Sequence, residues 1–121
     1  MLSIKIGIIT SLLTVVIGAF GAHGLKEILT QNKTLEVFQT AVRYQMFHSI
    51  ALIITGILIH LNIVESKFPT YLFLGGILVF SGSLYILSIT GIKWLGAITP
   101  IGGLLFILGW GFLFMAIKSV N

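Results

Sequence analysis

Eight polar side chains carry most of the chemistry this sequence could do: His23, Arg43, Tyr44, Gln45, His48, Tyr85, Ser88 and Thr99. All fall inside or at the rim of long apolar stretches. An imidazole titrates near pH 6.5, at about the pH where proton transfer is useful. A guanidinium can hold an anion through paired hydrogen bonds. Tyr44 and Gln45 precede His48 by one helical turn and flank it on one helix face. Thr55 continues that stripe. Arg43 points about 140° away from His48 at 3.6 residues per turn, toward lipid headgroups or another helix.

Two readings stand side by side for these residues. Polar side chains inside a membrane serve as interhelical hydrogen-bond glue, worth about 0.6–2 kcal/mol each. Intramembrane ionisable groups are also default candidates for ligand or proton sites. His48 is open to both. His23 reads as an interfacial cap, Arg43 as a headgroup anchor, His60 as an interfacial residue and Ser81-Gly82-Ser83 as packing with satisfied hydroxyls.

Several chemistries are excluded. The chain has no Cys, so disulfides and thiolate metal sites are out. It has no Asp, and Glu27, Glu36 and Glu65 lie outside the apolar stretches. A carboxylate-driven proton antiporter and a paired-carboxylate hydrolase therefore lack their acids. His23 and His48 lack a third strong ligand for a metal. No phosphate-cradling glycine loop or nucleophile-elbow serine motif is present. The expectation is no catalytic residue, no metal and no cofactor.

The elements that must position these residues are four apolar stretches, at about residues 4–24, 43–64, 70–90 and 95–117. Each is long enough to cross about 30 Å of hydrocarbon as a helix. The chain is 57% hydrophobic and 8% charged, with mean hydropathy +1.13. So little charge cannot cover a soluble globule, but it can dress the two ends of a lipid-embedded bundle. The first stretch is too long for a signal peptide's apolar core and reads as a retained span. The seven basic residues are dispersed near span ends, where they anchor headgroups, so nucleic acid is not an expected partner.

Thr34 is placed to cap a helix leading into the second span, through the apolar residues Leu35, Phe38 and Val42. Gly24 suits the end of the first helix. Pro69 suits the first turn of the third, and Pro100 starts or kinks the fourth. Gly18, Ala22, Gly75, Gly76, Gly82, Gly102 and Gly103 are candidate positions for close helix packing. Up-down connectivity puts loops 1 and 3 on one side, with loop 2 and both termini on the other. Four cations against three leaves the orientation open, with a slight lean to cytoplasmic loops 1 and 3. The eight polar residues then gather in the loop-1 half of the membrane. The other half holds His60, Asn62 and little else.

Four segments carry a resemblance: Gly18-Ala-Phe-Gly-Ala-His-Gly-Leu25, Thr40-Ala-Val-Arg-Tyr-Gln-Met-Phe-His48, Phe80-Ser-Gly-Ser-Leu-Tyr85 and Leu95-Gly-Ala-Ile-Thr-Pro-Ile-Gly-Gly103. In this order they resemble the YwdK-like family of small bacterial membrane proteins, across essentially the whole chain. Related proteins occur in eukaryotes. Phe47 stands where relatives commonly have Tyr. The resemblance implies a four-span membrane protein. It implies no activity, because the family's function is unknown.

The sequence thus predicts an all-α, multi-pass protein of the cell membrane: one domain over residues 1–121, an up-down bundle of four transmembrane helices. The leading functional reading is a non-enzymatic protein that packs with itself, with membrane lipid or with an unknown protein partner, homo-oligomers included. The alternative is an oligomeric transporter or channel component with a polar entry at the loop 1 and loop 3 side. A headgroup-binding protein or membrane enzyme using Arg43 is the third reading.

Overall fold

The computed structural model describes residues 1–118, except for the side chain of Ala22. It has six α-helices: α1 (Leu2–His23), α2 (Lys26–Asn32), α3 (Leu35–His60), α4 (Phe68–Gly76), α5 (Gly82–Thr90) and α6 (Thr99–Ala116). A π-helical turn, Ile77–Ser81, joins α4 to α5 as one continuous span. A short 3-10 segment, Lys93–Ala97, leads into α6. Among the described residues, four stretches are long and apolar enough to cross a membrane: Leu2–Gly21, Leu35–His60, Phe68–Thr90 and Lys93–Ala116.

The second span begins well before residue 43. Nothing from Leu35 onward breaks a helix, and α3 runs 26 residues, about 39 Å at 1.5 Å per residue. Thr34 precedes α3, but its hydroxyl makes no cap; it donates to the Ser88 carbonyl at 2.6 Å. Loop 1 is not plain loop, since it holds α2, which ends on the left-handed Lys33. Gly24 ends α1 in a right-handed conformation, with its N–H on the Phe20 carbonyl. Pro69 and Pro100 both sit in first turns, where the missing N–H costs nothing.

Glycines seal two helix pairs. In α1 against α3, Gly7 lies on Ser49 and Ile53, and Gly56 lies on Ser3 and Ile4. In the third span against α6, Gly102 lies on the backbone of Phe80, Gly109 against Phe73 and Gly76 against Phe106. Gly18, Gly75 and Gly103 make ordinary contacts, at 3.6, 3.4 and 3.8 Å from a built Cβ. Gly82 is a correction: a Cβ there would meet nothing within 4 Å. Spacing along the sequence locates small residues, but helix rotation decides which of them meet a neighbour. Ala22 lies outside the described side chains.

The helices do not form a closed ring. α1 packs on α3, α3 on the third span, and the third span on α6, with little direct backbone approach between α3 and α6. The core includes Leu52, Phe73, Ile77, Phe106 and Leu113. Chain direction alternates. On the loop-2 side Val64 pairs with Ile117, and the Lys118 N–H donates to Ile63. Large apolar side chains such as Val15, Ile107 and Phe114 point outward to lipid.

Candidate functional site: an aromatic groove beside a polar seam

The eight polar residues do not form one site. Their shared depth is real, but their helix faces differ, so they separate into four groups.

The first group is a seam between α3 and the third span. Gln45 is buried at its centre. Its Nε2 donates to the Thr10 carbonyl of α1 at 3.0 Å, and its Oε1 accepts from the Tyr85 hydroxyl at 2.6 Å. Ser81 Oγ donates to the Ala41 carbonyl at 2.9 Å. The Ser88 carbonyl accepts from Thr34 and from Asn32, while Ser88 Oγ donates to the Tyr85 carbonyl. The π turn belongs here. It lies where Gly102 presses against Phe80, and it carries Ser81. Such turns insert one residue into a helix and are frequent at functional sites.

The second group faces an open groove between α3 and α6. His48 is buried, and both its ring nitrogens are engaged. Trp110 Nε1–H can only donate, so His48 Nε2 accepts it, at 3.0 Å. His48 Nδ1–H then donates to the Tyr44 carbonyl at 2.8 Å. The ring lies flat on Phe106, with centroids 3.6 Å apart and planes 9° apart. Phe73 packs edge-on to Trp110, and Tyr44 lies 4.5 Å from Phe80 between centroids. The rings of Tyr44, His48, Phe80, Phe106 and Trp110 wall a groove of about 710 Å³, with Phe73 buried behind them. Arg43 stands exposed on its rim, while Phe47 and Gly103 line it.

The third group is Thr99, whose hydroxyl meets Ser83 at 2.7 Å between α5 and α6. The fourth is His23, exposed at the end of α1 and remote from the hydrogen bonds of the other groups among the described residues. No hydroxyl activates or is activated by His48, because its partners are a carbonyl and an indole. No three of His, Asp and Glu cluster as metal ligands among the described residues.

Two parts of the arrangement were not read from the sequence. Trp110 was missed, although an indole placed mid-span needs an acceptor and so signals a partner. The loop-2 half is also less apolar than expected. Ser3 donates to the Leu52 carbonyl at 2.7 Å, and the buried Thr55 and Thr70 hydroxyls have no hydrogen-bond partner among the described residues.

The comparisons place the chain among membrane proteins and assign no activity. Residues 17–103 match the family profile described as a protein of unknown function, DUF423. A UPF0382 membrane protein of Staphylococcus haemolyticus is 48% identical over 109 residues, covering 90% of this chain and 88% of its own. One from Staphylococcus aureus (strain bovine RF122) is 45% identical over 115 residues, covering 95% and 93%. The UPF0382 membrane protein YwdK of Bacillus subtilis is 46% identical over 109 residues, covering 88% of each chain. No solved structure matches significantly. The profile match takes in the end of α1, all of α2 to α5 and the start of α6, and the chain belongs to the DUF423 family of membrane proteins, whose function is unknown.

Proposed function

We propose that this is a non-enzymatic protein of the cell membrane that holds a lipidic molecule in the groove between α3 and α6. One observation carries the reading. The groove is about 710 Å³, its walls are aromatic, it opens sideways, and a cation stands on its rim. Apolar walls with a few convergent polar groups are the usual form of a small-molecule site. From Gly103 to Trp110 the groove runs about 10 Å along α6, most of one leaflet's roughly 15 Å of hydrocarbon.

The polar seam supports a scaffold role rather than catalysis. Its hydroxyls donate to backbone carbonyls or to the Gln45 amide oxygen, and His48, facing the groove, has no free nitrogen. The seam offers no polar entry for transport, because Gln45, Tyr85 and Ser81 bond to one another or to backbone, and the open groove, although Arg43, Tyr44 and His48 line it, is walled mostly by apolar side chains.

The test is native mass spectrometry of gently released protein, with Gly103→Leu as the groove-filling variant. A Cβ at residue 103 lies 3.8 Å from Phe80, so the side chain has room to enter the groove. The expected result is a bound lipidic mass that Gly103→Leu loses while its melting temperature holds. A wild-type protein that carries no such mass, or a mass that Gly103→Leu retains, would overturn the proposal.

A further inference from the structure

Arg43 lines two grooves. The second, about 430 Å³, lies between α1 and α3 and is lined by Gly18, Gly21, Phe38 and Val42. At about 100° per residue, Val42 and Tyr44 sit on opposite sides of Arg43. Each faces one of the grooves. Arg43 is thus the ridge between two apolar channels, and the only residue they share.

Its charge has no internal partner. Among the described residues the one ion pair is Lys118 with Glu65, on the opposite membrane side. Arg43 lies about 12 Å along α3 from Leu35, and α3 exceeds the hydrocarbon thickness by about 9 Å. An arginine near a helix end extends its head to the phosphate level while its stem stays in apolar surroundings. Guanidinium matches phosphate through two parallel hydrogen bonds.

From this we infer that the occupant is an anionic two-chain phospholipid. Its phosphate engages the Arg43 guanidinium, with one acyl chain in the aromatic groove and the other between α1 and α3. The inference rests on the lipid-holding reading and specifies its ligand. The two channels on either side of one unpaired cation reproduce the arrangement of one phosphate and two chains. A single-chain amphiphile would leave the α1–α3 groove without a role.

The experiment compares binding of diacyl phosphatidylglycerol, diacyl phosphatidylcholine and lysophosphatidylglycerol to the full chain in detergent, by native mass spectrometry. The wild type is expected to retain phosphatidylglycerol at least tenfold over phosphatidylcholine. Arg43→Gln, a change at an exposed position, is expected to erase that preference. Gly18→Leu, where a Cβ has ordinary clearance from Val42, fills the second groove. It is expected to weaken the diacyl lipid at least fivefold and to leave the lyso lipid unchanged. Gly103→Leu is expected to weaken both. Equal retention of lyso and diacyl lipids with Gly18→Leu silent would overturn the two-chain inference and leave the aromatic groove standing. Equal binding of the two diacyl lipids would remove the role of Arg43. If none of the three is retained, the lipid-holding function fails as well.

Discussion

The α1–α3 contact and the α3–third-span contact join the same helix to two neighbours with a different balance of close packing and hydrogen bonding. The first closes mainly on glycines, with one bond each from Ser3 and Gln45. Gly7 and Gly56 remove side chains so that backbones meet, and a Cβ at Gly7 would come 2.8 Å from the Ser49 carbonyl. The second is bridged chiefly by hydrogen bonds, Gln45–Tyr85, Ser81–Ala41 and Thr34–Ser88. In lipid, apolar burial gives little drive for association, so helices join through van der Waals contact at close range or through hydrogen bonds across a gap. Close approach is all-or-none, since one methyl blocks it. Bridging is graded, since each bond adds a separate increment. α3 and α6 make little direct contact, and the aromatic groove lies between them.

The largest expected effect tests the steric seal where the third span meets α6. In Gly102→Ala the new methyl meets the backbone of Phe80, which cannot rotate away. A loss of about 3 kcal/mol is expected, the upper part of the overpacking range. Thermal unfolding in detergent reads it, and unchanged melting would mean that this contact is not sealed by fit. Next comes the bridge. Gln45→Leu breaks two side-chain bonds and should cost about 1–2 kcal/mol. A double-mutant cycle with Tyr85→Phe should show coupling; simple additivity would separate Gln45 from the seam.

Gly82→Ala sharpens the contrast from the other direction. With nothing near its Cβ, it should gain about 0.5–1 kcal/mol from helix propensity alone, and a loss on melting would reveal a hidden contact. The smallest effect lies outside the membrane. The Lys118 ammonium, 2.7 Å away, holds the Glu65 carboxyl below its usual range. A depressed carboxylate stabilises the fold above its unfolded pKa of about 4.3 and loses that contribution as pH falls through the folded value. Glu65→Gln should therefore slightly lower stability at pH 7 and flatten the slight decline below about pH 4.3.

Much of this was legible from residues alone. The two proline-started spans follow from the missing N–H of Pro69 and Pro100. The depth of the polar groups follows from counting along each helix. Their grouping does not. Tyr44 and Gln45 are neighbours in sequence, yet they point about 100° apart, one to the aromatic groove and one to the seam. Gly18 fits a small-residue motif, while Gly7 and Gly56 make the tight contact of α1 with α3. The π turn at Ile77–Ser81 has no clear signal in its own residues, and it coincides with the close approach of Gly102 from another helix.

By itself the sequence determined that this chain lies in a membrane, how many times it crosses and where its few polar groups sit in depth. Those properties depend on one-dimensional quantities: span length, charge and distance from a span end. Only the tertiary structure decided that His48 is held between Tyr44 and Trp110, that Gln45 ties three helices together, and that Arg43 divides two grooves. Each depends on how the helices rotate and how closely they approach, and in lipid those are set by contacts between helices rather than by hydropathy.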